Sequence, residues 1–186
     1  MIFNNHLFLI YIFLFFISLY NANTLTFTIS SDFDLSWDNC GPSEDPVQLK
    51  SLDISPDPIR VPGNITITGS VDVTSQIPTD VHAVVFMQRK VGPFFVKVPC
   101  VDNFGSCNYD NVCELWAKFC SKMHLSQYGL PCECPIPADT YSVSNANIFV
   151  NKNLPSELLG EYRTTVDIGS NENHIACINI DLTIKK

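Results

Sequence analysis

Eight cysteines constrain this chain more than any other feature of its sequence. All of them lie between Cys40 and Cys177. An even number of cysteines in a chain that passes through an oxidising compartment indicates disulfides, but roughly a hundred pairings of eight cysteines are possible. The sequence therefore predicts a domain held by four disulfides and leaves their connectivity open.

A zinc site is the competing interpretation of some of these cysteines. Cys132 and Cys134 flank Glu133, and His124 lies nearby. Their spacing differs from the paired C-x2-C pattern of common zinc sites, and an oxidising route favours disulfides over thiolate ligands. We therefore expect neither a metal ion nor another cofactor.

The first 22 residues have the composition of a secretory signal peptide. An apolar run from Leu7 to Tyr20 would span about 21 Å as a helix, short of the ~30 Å of a bilayer core. The segment before the run lacks Lys and Arg, so an uncleaved anchor is the alternative. Cleavage after Ala22 would leave 164 of the 186 residues, enough for one domain over 23–186.

The charge of the chain limits its partners. The formal net charge is −8, and no basic stripe of the kind that binds nucleic acid is present. Near pH 5, protonation of His82, His124 and His174 would move this charge toward −5 and weaken repulsion from anionic lipid. Ordinary solubility explains the acidity equally well.

Short runs of alternating apolar and polar residues predict an all-β protein, an antiparallel sandwich or cup. The clearest run ends the chain, with Ile178, Ile180, Leu182 and Ile184 at a period of two. The predicted strands are Val47–Ile54, Asn64–Val73, Val81–Lys90, Phe94–Val98, Tyr141–Val150, Gly160–Ile168 and His174–Ile184.

Two local motifs stand apart from this alternation. The segment Asn111–Lys122 places apolar residues at helical offsets and predicts one short helix. The triplet Asn64-Ile65-Thr66 is an N-glycosylation sequon at the start of a predicted strand, just after a Pro-Gly turn, so we expect Asn64 to be exposed and glycosylated.

Apolar residues also occur where polar turns are expected; if the fold is a cup, they would form a rim able to dip into a membrane and admit lipid. Three basic residues, Arg89, Lys90 and Lys97, flank the first of these turns and are candidates for headgroup contacts or for ordinary solvated charges. Alternatively, Phe95 and Leu159 simply begin strands and point inward. The candidate rim residues are Val91, Phe94, Phe95, Tyr128, Leu130, Phe149, Leu154, Leu158 and Leu159.

The sequence gives little indication that the protein catalyses a reaction. The chain contains neither G-x-S-x-G nor H-E-x-x-H, and the predicted disulfides leave no thiol for nucleophilic attack. Asp38, Asp57 and Asp102 lie beside turns or cysteines, where they are expected to bond the local backbone. We therefore predict no catalytic residues and no enzyme activity.

Several ordered motifs resemble those of a known family. They include Phe33-Asp34-Leu35-Ser36-Trp37-Asp38-Asn39-Cys40, Pro56-Asp57-Pro58-Ile59-Arg60-Val61-Pro62-Gly63-Asn64 and Tyr128-Gly129-Leu130-Pro131-Cys132-Glu133-Cys134-Pro135. On these residues, and across most of the chain, the sequence resembles the ganglioside GM2 activators, within the MD-2-related lipid-recognition proteins. The stretches from Cys113 to Cys120 and on to Cys132 are shorter than that family leads one to expect.

The resemblance implies a β-cup with an apolar lipid cavity. Composition alone fits a filled sandwich core equally well. The resemblance also implies the pairs Cys40–Cys177, Cys100–Cys107, Cys113–Cys134 and Cys120–Cys132.

The resemblance further implies that the protein is secreted or lysosomal. Its implied function is to extract single glycosphingolipids from a membrane and present them to a soluble glycosidase such as a β-N-acetylhexosaminidase. A general phospholipid or sterol carrier and a receptor-docked recognition subunit for bacterial lipid are the alternatives.

Overall fold

Ten strands and one α-helix make up the part of the chain that the computed structural model describes, residues 34–150, 155–171 and 173–186. The predicted signal peptide and the candidate rim residue Leu154 lie outside these ranges. Residues 32–186 form one compact unit. The elements are β1 Ser36–Asn39, β2 Val47–Ser55, β3 Ile59–Arg60, β4 Gly63–Val73, β5 His82–Val91, β6 Phe94–Lys97, β7 Asn108–Tyr109, α1 Val112–Lys122, β8 Asp139–Val150, β9 Gly160–Gly169 and β10 His174–Lys185.

The strands form two sheets, as the alternating sequence predicts. The large sheet has the order β1-β10-β9-β5-β6, with β3 beside β10 and β7 beside β5, and the small sheet has the order β2-β4-β8. Pairing is antiparallel except where the two residues of β3 run parallel to the end of β10. The predicted antiparallel all-β fold with one short helix and four disulfides is confirmed.

The inward and outward faces of the large sheet follow from the alternation in β10. Ile178 and Ile180 pair with Val166 and Thr164 on the inner face. On the outer face, Asn179 accepts a hydrogen bond from the Thr165 hydroxyl at 2.7 Å, and Arg163 pairs with Asp181 at 3.2 Å. This sheet therefore has an apolar inner face and a partly polar outer one, as is common for antiparallel sheets.

Hydrogen bonds join the two sheets along the side formed by β1 and β2. The Asn39 side chain donates to the Leu49 carbonyl at 2.9 Å and accepts from the Leu49 amide at 3.0 Å. The indole of Trp37 donates to the Leu52 carbonyl at 3.2 Å. These side chains complete the hydrogen bonding of β2 from the neighbouring sheet and close this side of the sandwich.

Helix α1 lies at the opposite side of the sandwich. Its first turn is capped by Asn111, whose side-chain oxygen accepts from the Glu114 amide while its side-chain nitrogen donates to the Glu114 carboxylate. The helix begins at Val112, one residue after the predicted start, because Asn111 serves as the cap. Among the described helices, none is long and apolar enough to cross a membrane.

All eight cysteines are paired in the described structure. Two disulfides attach α1 to the segment that follows it, and one joins the end of β1 to β10. Four disulfides are typical of proteins that mature in an oxidising, secretory compartment. The pairs are Cys40–Cys177, Cys100–Cys107, Cys113–Cys134 and Cys120–Cys132, the same pairs that the resemblance implies.

A contiguous cluster of buried apolar residues lies at one end of the sandwich, which we call the closed end. It consists of Val73, Ile77, Val81, Ile175 and Ala176. Further along the strands, inward-facing side chains of the large sheet such as Val85, Met87 and Val166 are only partly buried. Apolar side chains that face inward but lack complete burial indicate a space between the sheets rather than a filled core.

Candidate functional site

An apolar cavity lies next to the closed end, between the small sheet and α1. Its volume is about 270 Å³. Side chains from both sheets and from α1 form its wall, and none of them is charged. The residues that line it include Val47, Val71, Val73, Ile77, Val81, Val112, Trp116, Leu130, Ile136, Tyr141, Ile168 and Ile175.

A second cavity, of about 360 Å³, continues along the small sheet. Four side chains, Val71, Trp116, Leu130 and Tyr141, line both cavities, so the two spaces adjoin. The wall of the second cavity also includes Leu49, Leu52, Ile67, Phe119, Leu125, Val143, Ala146 and Ile148. Together the cavities form an apolar channel along the inner face of the small sheet, comparable in size with small-molecule sites of ~300–1,000 Å³.

The two aromatic side chains with polar groups do not make this channel polar. The indole nitrogen of Trp116 donates to the Pro131 carbonyl at 2.8 Å, and the Tyr141 hydroxyl donates to the Pro137 carbonyl at 2.9 Å. Because each polar group bonds the protein backbone, what each residue contributes to the channel is apolar ring surface. An apolar channel of this kind is suited to hydrocarbon rather than to a polar ligand.

The hairpin of β5 and β6 carries exposed apolar residues at its tip. Val91 pairs with Phe94, and Arg89 pairs with Val96, so these four side chains share the inner face of the large sheet. Phe94 is 71% exposed, and Val91 and Val96 are each about half exposed. Phe95 faces the outer side instead, where its ring lies 4.4 Å from the guanidinium of Arg163. Of the two predicted rim phenylalanines in this hairpin, Phe94 is thus the more exposed.

The segment before β9 is held against this hairpin by polar contacts. The guanidinium of Arg89 donates to the Leu159 carbonyl at 2.7 and 3.0 Å, and the Tyr162 hydroxyl donates to the Leu158 carbonyl at 3.0 Å. Lys90 pairs with Glu161 at 2.6 Å. Arg89 and Lys90 therefore bind backbone and carboxylate within the protein, in contrast to the headgroup contacts considered for them, and Leu158 and Leu159 are partly buried.

The remaining predicted rim residues occupy three different places. Leu130 lines both cavities. Tyr128 is partly buried at the end of a 3₁₀ turn, Leu125–Tyr128, that follows α1. Phe149 is 68% exposed near the end of β8, while its neighbour Ile148 faces the second cavity. Lys97 lies on the outer face of β6, with its ammonium 5.7 Å from the ring of Phe86.

Two apolar residues of α1 were not among the predicted rim residues. The helical pattern groups Leu115 and Phe119 with Val112 and Trp116, but of these four residues only Val112 and Trp116 line the first cavity. Leu115 and Phe119 remain 41% and 48% exposed, and Phe119 also borders the second cavity. Their spacing of four residues places them on one face of the helix, a signal that was present in the sequence.

A histidine between two carboxylates lies at the closed end. Nδ1 of His174 is 2.7 Å from an Asp45 oxygen, and Nε2 is 3.3 Å from an Asp167 oxygen. Asp45 is 6% exposed and its second carboxylate oxygen is buried without a hydrogen bond. Gly41 makes room for this carboxylate, because a Cβ atom at that position would come within 2.0 Å of Asp45 Oδ2.

These contacts raise the pKa of His174 above its ordinary value of 6.5. The main cause is the hydrogen bond with Asp45; partial burial opposes the rise, and Asp167 adds to it. A group whose pKa is raised on folding stabilises the fold fully below its unfolded pKa, and this contribution is lost as the pH rises through the folded pKa. The cluster therefore favours the folded state in acid.

Replacing His174 by Asn is expected to remove this acid stabilisation. The loss of melting temperature relative to the unmodified protein should be larger at pH 5 than at pH 8, because only the protonated imidazole attracts both carboxylates. Thermal unfolding monitored by circular dichroism at the two pH values measures this. His124→Gln, at an exposed histidine outside the cluster, is the control, and an equal loss at both pH values would contradict the assignment.

No group of three or more potential metal ligands occurs among the described residues. Cys132 and Cys134, the cysteines of the zinc alternative, both form disulfides. His124 lies just after α1, with Nδ1 at 2.9 Å from the Ser121 carbonyl. The zinc alternative thus loses both of its thiolate ligands.

Comparison with known proteins places this chain in a family. The family model of the ML domain matches residues 34–184. The chain belongs to the ML-domain family. Within this family, the ganglioside GM2 activator of Mus musculus is 39% identical over 160 residues, and that of Macaca fascicularis is 35% identical over 160 residues. Each alignment covers 81% of this ML-domain chain, and 81% and 83% of the two relatives.

Among solved structures, a Niemann-Pick type C2 protein from the Japanese carpenter ant matches with a TM-score of 0.42 and 16% identity, covering 81% of this chain and 99% of that one. The resemblance to ganglioside GM2 activators inferred from the sequence motifs is confirmed by the two relatives. Both relatives are named as activators rather than as enzymes, in agreement with the prediction that this ML-domain chain is not an enzyme.

Proposed function

We propose that this lipid-binding protein of the ML-domain family extracts single glycosphingolipids from membranes and presents their sugars to a soluble glycosidase of the β-N-acetylhexosaminidase type. The observation that carries the proposal is the apolar channel between the small sheet and α1, with exposed apolar side chains on the β5–β6 hairpin. The names of the two relatives, ganglioside GM2 activators, support the choice of lipid.

The channel suits the hydrocarbon part of a lipid on energetic grounds. Each buried methylene of an acyl chain is worth about 0.8 kcal/mol relative to water. A bilayer interior gives nearly the same stabilisation, so moving a chain from the bilayer into an apolar channel changes the free energy little. Such an exchange is reversible, as extraction and delivery require, and it leaves the polar headgroup in water, where an enzyme can reach it.

An acidic, oxidising compartment such as the endolysosomal lumen fits two features of the protein. Four disulfides stabilise it where reduced thiols do not persist. The cluster of His174 with Asp45 and Asp167 stabilises the fold most at acid pH. We therefore propose a secreted or lysosomal destination, reached through the predicted signal peptide.

A general phospholipid or sterol carrier is the second candidate, and a specific observation favours it. The channel wall contains no charged residue that would select one headgroup. Selection among lipids would then depend on residues outside the channel or on the enzyme partner. The two candidates share the cavity and differ in whether a glycosidase is stimulated.

Lipid transfer between vesicles at pH 5 distinguishes these functions. Donor vesicles contain a ganglioside, a neutral sphingolipid, a phospholipid or a sterol, and hexosaminidase is added in a second series. Ganglioside transfer together with faster release of N-acetylhexosamine supports the activator function. Transfer of phospholipid or sterol without stimulation supports the general carrier, and no transfer of any lipid contradicts both.

Replacing Phe94 by Ser is expected to weaken binding to vesicles severalfold while shifting the melting temperature by less than about 2 °C. Because Phe94 is largely exposed in water, its removal costs the folded state little, whereas burial in a bilayer is worth about 1.5–3 kcal/mol. Co-sedimentation with vesicles measures the binding. Phe86→Ser, an exposed phenylalanine on the outer face of β5, is the matched control, and equal losses for both variants would contradict a role for the hairpin tip.

A further inference from the structure

The outer face of the small sheet is polar and hydrogen-bonded, with one exception. The Thr66 hydroxyl donates to the Asn147 side chain at 2.9 Å, Ser51 and Ser70 are 2.8 Å apart, and Thr140 donates to Asp72 at 2.8 Å. Among the described residues of β2, β4 and β8, Phe149 is the large apolar side chain that is exposed. Phe149 is 68% exposed on this otherwise polar sheet face, so its ring offers apolar surface to a neighbour on the same face.

The register of the small sheet supplies that neighbour. Asn64 on β4 pairs directly with Phe149 on β8. The adjacent pair in the same ladder is Ile65 with Ile148. Ile148 lines the second cavity, so Asn64 and Phe149 both point to the opposite, outer face. Directly opposed residues in an antiparallel pair have Cβ atoms about 4.5–5.5 Å apart. Asn64 is also exposed and is the acceptor position of the sequon Asn64-Ile65-Thr66.

We propose that Asn64 carries an N-linked glycan whose innermost sugar packs against the ring of Phe149. In the modification, the Asn64 amide nitrogen loses a proton and bonds the anomeric carbon of an N-acetylglucosamine. That carbon comes from a lipid-linked oligosaccharide donor, and the lipid diphosphate is the leaving group. The C–H face and acetyl methyl of this sugar are apolar enough to cover an aromatic ring from water.

This contact also determines which side of the molecule can approach a membrane. A hydrated oligosaccharide on Asn64 keeps the outer face of the small sheet, including Phe149, away from the hydrocarbon of a bilayer. The side of the molecule that approaches a membrane is then the β5–β6 hairpin with Val91 and Phe94, and Phe149 serves the glycan instead of the rim. This assignment concerns only the glycan and does not depend on which lipid the channel holds.

Thermal unfolding of the full chain, secreted from a glycosylating eukaryotic host, tests the contact. Phe149→Ala, which removes the ring without creating a second sequon at Asn147, is expected to lower the melting temperature of the glycosylated protein by about 2–4 °C. The same substitution in an Asn64→Gln background, which lacks the sugar, should shift it by less than about 1 °C. Trimming the glycan to its innermost sugar with an endoglycosidase should preserve the larger shift, because only that sugar contacts the ring.

A direct structural readout accompanies the unfolding measurement. Nuclear Overhauser effects between the Phe149 ring protons and the acetyl methyl of the innermost sugar are expected in the glycosylated protein. An unmodified Asn64 by intact mass, equal shifts of melting temperature in both backgrounds, or the absence of ring-to-sugar effects would each overturn the proposal. All three outcomes are independent of lipid transfer, so the proposed function is tested separately.

Discussion

Replacing Val143 by Trp is expected to lower the rate of lipid transfer at least tenfold while leaving the protein folded. Val143 lies on β8 and faces the second cavity, so an indole at this position occupies space that an acyl chain would fill. Excluding only three methylenes forgoes about 2.4 kcal/mol at ~0.8 kcal/mol each, and 1.4 kcal/mol corresponds to about tenfold in affinity. Transfer of a fluorescent lipid between vesicles measures the effect.

The control for this substitution is the adjacent position on the same strand. Ser142 is exposed, and its side chain points to the outer face of the small sheet. Ser142→Trp introduces the same side chain outside the channel and is expected to leave transfer within about twofold of the unmodified protein. If both variants transfer lipid at the original rate, or both lose it equally, the channel is not the lipid site.

Removing the disulfide Cys40–Cys177 is expected to destabilise the protein more than removing any shorter bridge. This disulfide closes a sequence separation of 137 residues, whereas Cys100–Cys107 closes one of 7. The chain-entropy model assigns roughly 5 kcal/mol to the longer loop and roughly 2 kcal/mol to the shorter one. Against a total stability of about 5–15 kcal/mol, the longer bridge is a large share.

Thermal unfolding of the two paired Cys→Ala variants compares these effects. For a domain of this size, 1 kcal/mol corresponds to about 2–4 °C, so loss of Cys40–Cys177 should lower the melting temperature by roughly 10–20 °C. Loss of Cys100–Cys107 should lower it by less than half as much. Equal decreases for the two variants would show that loop length does not govern the stabilisation in this protein.

Most of the strands that could be predicted from the sequence are long enough to show their alternation. Strands β4, β9 and β10, of 10 to 12 residues, differ from the predicted strands by one residue at each end or fewer. The short strands β1, β3 and β7 were not predicted, because two to four residues by themselves cannot establish a period of two. Strand β6 is equally short but was predicted as Phe94–Val98, since it directly follows the turn at Gly92-Pro93. Strand β8 begins at Asp139, two residues before its prediction, since pairing with Val73 extends it.

The hollow between the sheets could not be predicted from the alternation. A period of two identifies which side chains face inward but does not determine the distance between the sheets, so a filled core and a cup give the same pattern. The contacts of Arg89 with Leu159 and of Lys90 with Glu161 join residues about 70 positions apart in the sequence. The sequence does not show that Arg89 and Lys90 bind groups within the protein; the pairing of β5 with β9 brings these partners together.

Quenching of Trp116 fluorescence tests most directly whether the hydrocarbon part of the lipid binds in the channel. The chain contains two tryptophans, and Trp116 lines both cavities, so a Trp37→Phe variant reports from the channel alone. The variant is loaded from vesicles with lipid brominated along its acyl chain and then separated from the vesicles. We expect strong quenching at one bound lipid per protein molecule. One bound lipid per molecule without quenching, at every position of the bromines, would contradict the account.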